Sequence, residues 1–228
     1  MRFELKYVWL AVLAAATVFV VAVALKPGAP SADAAAVPKS TAPVATPTAS
    51  VAPVVVSVLS DSHAFNAGSW FRQTVEAGTI PGVRLGAFAS QPGASATVLT
   101  AKLDEAAASK GIVIVQAGTN DLLSAVGADR TAANVEDLID GVKARGAKPV
   151  VALIPPSAKR GPEVLDTNKL LTAYATANKI GLLDVTTAVE TPGGQWKDGL
   201  SDDGVHANQA GAKLMADAAA QQIPVLIR

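Results

Sequence analysis

Ser62 lies in Leu59-Ser60-Asp61-Ser62-His63, directly after an apolar run. A serine hydroxyl is a weak nucleophile until a base takes its proton. The chain has two histidines, His63 and His206, so the choice of base is narrow. His206 follows Asp203 by three residues in Asp203-Gly204-Val205-His206. A carboxylate at that spacing can hold one ring nitrogen and stabilise the imidazolium. Asp198 and Asp202 lack the spacing. Attack on a carbonyl also needs donors for the oxyanion. The backbone N–H groups of Ser62 and Gly93, the latter in Gln91-Pro92-Gly93-Ala94-Ser95, and the side-chain amide of Asn120, in Gly118-Thr119-Asn120-Asp121, can supply them.

Each of these residues also has a plainer role. A serine after a strand usually caps or turns the chain. Asp61 reads as a structural residue bonding the turn backbone, and Asp121 as a helix cap or loop anchor. His63 reads as a partly exposed loop histidine, with contact to the site or substrate as the alternative. With one of two histidines in the triad, no metal and no cofactor is expected. Trp70, Phe71 and Trp196 suit core packing at least as well as a substrate pocket. Lys159-Arg160-Gly161 reads as a solvated loop, or as the border of a cleft that favours an anionic substrate.

The elements that must position these residues are legible as well. Val54–Leu59, Val83–Phe88, Ile112–Val115, Pro149–Ile154 and Ile180–Val185 read as short buried strands. Helical patterns lie at about 68–77, 95–109, 131–145, 164–178 and 208–222. Short apolar strands alternating with helices imply a parallel sheet covered on both faces. In such sheets ligands bind beyond the carboxyl ends of the strands. Ser62, Gly93 and Asn120 each follow a strand and so share that edge. Asp203 and His206 sit in the loop before the last helix, which can fold over it.

Composition narrows the functional class. Zero cysteine among 228 residues excludes a disulfide framework, a thiol nucleophile and thiolate-bound metal. Nineteen basic and nineteen acidic residues leave no net charge, and no basic stripe stands out, which argues against nucleic acid as a partner. Arg2 and Lys6 precede nineteen uncharged residues, Tyr7 to Leu25. At about 1.5 Å per residue such a helix roughly matches the ~30 Å hydrocarbon core. Residues 1–25 therefore read as a membrane anchor in preference to a cleaved signal, although Ala32-Asp33-Ala34 has the form of a cleavage site. The basic flank favours a cytoplasmic N-terminus and an extracytoplasmic domain at the cell membrane, with secretion after cleavage as the alternative. Residues 26–53, with six prolines, read as an extended linker, leaving 54–228 as the folded domain.

Asp61-Ser62, the turn glycine, Gly118-Thr119-Asn120-Asp121 and Asp203-Gly204-Val205-His206, in that order across residues 54–228, resemble the SGNH (GDSL-type) hydrolase family. The resemblance implies a flavodoxin-like three-layer αβα sandwich with a parallel sheet of about five strands. It implies ester hydrolysis with Ser62 as nucleophile, Asp203 and His206 completing the triad, and Ser62, Gly93 and Asn120 as oxyanion donors. Two departures stand out. The family usually has glycine before Asp-Ser, where this chain has Ser60, placing a side chain at the turn. Gly86 competes with Gly93 for the turn glycine; Gly93 is preferred because Gly-Ala-Ser opens a helix, where a backbone N–H faces the site. The resulting expectation is a serine esterase acting on a small-molecule or carbohydrate ester with a short acyl group such as acetyl. An acyltransferase using the same serine, or a binding module on a degenerate hydrolase fold, are the alternatives.

Overall fold

The structure is a computed structural model and describes residues 52–228; the anchor and nearly all of the linker expected from the sequence lie outside the described residues. Five strands, β1 (Val54–Ser60), β2 (Val83–Ser90), β3 (Ile112–Gln116), β4 (Lys148–Ala152) and β5 (Gly181–Leu183), form one parallel sheet in the order β2-β1-β3-β4-β5. The helices are α1 (Ser62–Phe65), α2 (Ala96–Leu99), α3 (Leu103–Ala107), α4 (Thr119–Leu123), α5 (Ala128–Ala144), α6 (Gly161–Asn178) and α7 (Gln209–Leu226).

Successive strand residues face opposite sides of a sheet, and here both sides are covered, so the strands are apolar on both faces. Leu59, Val113, Val115 and Val151 pack with Leu99, Leu138, Ile139 and Leu171 on one side. Val56, Val58, Ile112, Ile114 and Val150 pack with Trp70, Phe71, Met215 and Ile223 on the other. This is the αβα sandwich expected from the sequence. Trp70 and Phe71 are fully buried and Trp196 nearly so, so all three serve the core.

Several boundaries differ from the sequence expectation. The helix expected over 95–109 is three pieces, because Thr100–Lys102 winds as a 3₁₀ turn in which the Thr100 hydroxyl bonds the Thr97 carbonyl and the chain then restarts at Leu103. The helix expected over 68–77 is chiefly a π-helical turn at Arg72–Glu76; Gly68, at φ +75°, and the Ser69 hydroxyl, which donates to the Ala64 carbonyl, hold the preceding residues in a turn. Helix α6 begins three residues before the expected start, with Pro162 in its first turn, where a missing N–H costs nothing. The short α1 and α4 carry no periodic signal and were not expected.

The connection after β3 needs one special backbone position. Gly118 sits at φ +117°, a region closed to residues with a Cβ, and a Cβ there would also run into the Ile154 and Thr131 side chains. The turn it makes starts α4 and sets Asn120 at the sheet edge. Gly118→Ala is therefore expected to destabilise the fold by about 2 kcal/mol or more, with a matching fall in thermal unfolding temperature.

Candidate active site

β1, β2 and β3 end together: Ser60 pairs with Ser90 on one side and with Gln116 on the other. The three segments that follow them therefore meet at one edge. After β1 the chain turns at Asp61, whose Oδ1 accepts the His63 N–H at 3.0 Å and caps α1. Ser62 is the first residue of that helix and is 8% exposed. Ser60 stays in β1 as its last residue, fully buried, with an Oγ that has no partner. The extra side chain is thus absorbed at the strand end without a strained backbone.

Residues far apart in sequence come into contact here. Ser62 Oγ lies 2.8 Å from His206 Nε2, and His206 Nδ1 lies 2.7 Å from Asp203 Oδ2. Asp203 Oδ1 accepts the backbone N–H groups of Val205 and His206, at 2.8 and 2.7 Å. Partial desolvation pushes the Asp203 carboxyl up, but the hydrogen bond and charge of the His206 ring and these two amides outweigh it and hold the group well below the usual carboxylate range. The loop is closed by the Ser201–Ala207 bridge and by Asn208, whose amide bonds the Gly199 carbonyl and Asp202 and whose Oδ1 caps α7. Asp202 thus steadies the loop and Asp203 reaches the histidine.

Gly93 follows β2 in a turn that needs its φ of +74°. The next residue, Ala94, offers its carbonyl to Asn120 Nδ2 at 3.0 Å, and the same nitrogen reaches Asp61 Oδ2 at 3.4 Å. Gly86 lies inside β2, against Ser57 and Val55 of β1; it serves close strand packing. Asp121 Oδ2 accepts the Ala96 N–H at 2.8 Å and Oδ1 the Asn134 amide at 2.9 Å, so it ties the Gly93 segment to the Asn120 segment and to α5. Arg160 pairs with Glu163 across the first turn of α6.

His63 departs from its expected place. It is buried, 6% exposed, and its ring centroid lies 5.3 Å from that of His206 at 46°. Its Nε2 has no hydrogen-bond partner. Helix α1, which sequence reasoning missed, turns it inward. The one signal available was its place directly after Ser62 in the chain. Burial and the neighbouring His206 hold its pKa down at about 3, while burial pushes the adjacent Asp61 carboxyl up to about 7 against the pull of the His63 amide.

A histidine whose folded pKa is depressed binds a proton more readily when unfolded, so stability falls as pH drops from about 6.5 towards 3. His63→Leu removes that difference. The variant is expected to lose less stability on acidification than the parent, by up to about 1.4 kcal/mol per pH unit in that window. Chemical unfolding at neutral pH and near pH 4 would measure it; equal acid sensitivity in both proteins would contradict it.

The model of the GDSL-like lipase/acylhydrolase family matches residues 56–214. A search of curated proteins finds no significant match. Among solved structures, a putative lipolytic protein of the G-D-S-L family from Desulfitobacterium hafniense DCB-2 superposes with a TM-score of 0.62 at 20% identity, over 74% of this chain and 98% of that one. The inhibitor-bound aryl esterase of M. smegmatis gives 0.62 at 15% identity, over 76% and 99%. The psychrotrophic esterase EstA from Pseudoalteromonas sp. gives 0.59 at 18% identity, over 75% and 97%. The chain belongs to the GDSL-like lipase/acylhydrolase family and is a serine ester hydrolase.

Proposed function

We propose that this family member is an exported serine esterase that removes short acyl groups, such as acetyl from a carbohydrate, through an acyl-enzyme on Ser62. The observation that supports this most strongly is the hydrogen-bonded line from Ser62 Oγ through His206 to Asp203. In this reading Ser62 Oγ attacks the ester carbonyl as its proton passes to His206 Nε2. Asp203, kept ionised by its partners, holds the Nδ1–H tautomer and stabilises the imidazolium. The N–H groups of Ser62 and Gly93 and the Asn120 amide receive the oxyanion. The 3.4 Å bond from Asn120 to Asp61 is the longer of its two and the easier to exchange for that charge. The carbon–oxygen bond to the alcohol then breaks, and the alcohol leaves with the His206 proton. Water gives a proton to His206 and attacks the acyl carbon. The acid departs and the proton returns to Ser62.

The short connections of the fold, with no inserted lid among the described residues, suit a small acyl group, and the surroundings of the loop before α7 suit a hydroxyl-rich alcohol. The space beside His206 and His63 is about 20 Å³, walled partly by Ala67, Ala207 and Ala212; that is about one water's worth of room. These three alanines also border an open groove of about 810 Å³, whose other walls include Gln73, Asp202, Gln209 and Lys213. Amide, carboxylate and ammonium groups together suit a sugar better than a hydrocarbon chain. Export rests on the Tyr7–Leu25 segment. Among the described residues no helix is long and apolar enough to cross a membrane.

Ser62→Ala and His206→Ala are each expected to lower turnover of p-nitrophenyl acetate by at least about a thousandfold while the domain stays folded. A fluorophosphonate should label Ser62 in the parent protein only. Rates should fall as the acyl chain lengthens from acetyl to octanoyl. Full hydrolysis by both alanine variants would refute the triad, and acetyl transfer to an added sugar in preference to water would favour an acyltransferase.

A further inference from the structure

We infer that His63 is a positioning residue for the reaction: its ring backs His206, fixes the aim of that base and supports the imidazolium it becomes. The inference rests on His206 being the base, as proposed above.

Geometry and a packing cost carry it. His206 is held at both nitrogens, by Ser62 and by Asp203. Those bonds leave the faces of the ring to be fixed by packing. His63 supplies such a contact, at 5.3 Å between centroids, and both rings line the same small cavity with Asn66, Ser69, Trp70 and Met215. The position does not favour histidine on packing grounds. Its Nε2 is buried without a partner, a cost that a leucine of similar size would not carry. An aromatic ring against a developing cation does offer something leucine cannot, because a cation is attracted to an aromatic face.

The charge state fits. The groups acting on the pair are Asp61, which accepts the His63 N–H, Asp203 on His206, and Asp121 acting on Asp61 from α4. Burial and His206 keep His63 neutral through the range where the esterase would work, so it adds no second positive charge beside the imidazolium.

The test uses the full chain with His63→Leu, His63→Phe and His63→Asn, assayed on p-nitrophenyl acetate between about pH 4 and 9, with thermal unfolding of each. His63→Leu is expected to lower kcat by at least about tenfold with KM within about twofold of the parent. Its acidic limb of kcat/KM should move to lower pH, because the imidazolium loses its aromatic neighbour. His63→Phe, which keeps a ring face, should recover most of kcat, and His63→Asn should not. A parental kcat and pH profile in His63→Leu, or a change confined to KM, would overturn the inference. Should His63→Leu fail to fold, equal kcat in the Phe and Asn variants would overturn it instead. The two readings fail separately: an active His206→Ala removes the base itself, whereas an inactive His206→Ala beside a parental His63→Leu removes only the role of His63.

Discussion

A parallel sheet sends every strand out at the same edge, and in this chain the register of β1 between its two neighbours is the constraint on which the site depends. Ser60 stands level with Ser90 and with Gln116, so the three following turns start side by side. A one-residue slip would exchange the two faces of the central strand and displace the turn at Asp61 from its neighbours. The apolar packing of Val56, Val58 and Leu59 against both helix layers makes that slip costly. Hydrophobic burial, which has no direction of its own, thereby fixes hydrogen-bond geometry at a site made of polar groups.

Around that edge carboxylates do different jobs because their surroundings differ. Asp203 is largely exposed and bonded to a ring and two amides, which keeps it ionised. Asp61 is fully buried, and its proton is held up to about pH 7. Asp121 spends both oxygens joining loops. The same separation by environment divides the histidines. His206 is partly exposed and hydrogen-bonded at both ring nitrogens, whereas His63 is enclosed and neutral.

What could be read from residues alone was the part with strong local signals. The central strands β1, β3 and β4 show as β-branched apolar runs, and β2 and β5 as weaker apolar stretches. Asp203 and His206 declare themselves by spacing in a chain so poor in histidine. The helices were legible where length carried them, as in α5, α6 and α7. Short helices were not: α1 and α4 are four and five residues long, less than two turns, and no period can be established over so little chain. The break at Thr100–Lys102 was hidden for a related reason, since a 3₁₀ turn keeps nearly the same residue pattern while changing the hydrogen bonds.

Residue types and spacing set the chemistry available and most of its address: a serine, a turn glycine and an amide assigned to the strand-end edge by the alternation of strands and helices, and one Asp-x-x-His pair in the loop before the last helix. Tertiary structure decided which of these touch. That Ser62 and His206, 144 residues apart, lie 2.8 Å from one another follows from how the loop before α7 folds across the sheet, and no local pattern encodes that path. That the Ala94 carbonyl after Gly93 bonds Asn120 while Gly86 packs inside β2, and that His63 turns inward against His206, follow from the turn after β2 and from α1. Contacts of this kind depend on packing between segments distant in the chain, whereas spacing reports only on neighbours along it.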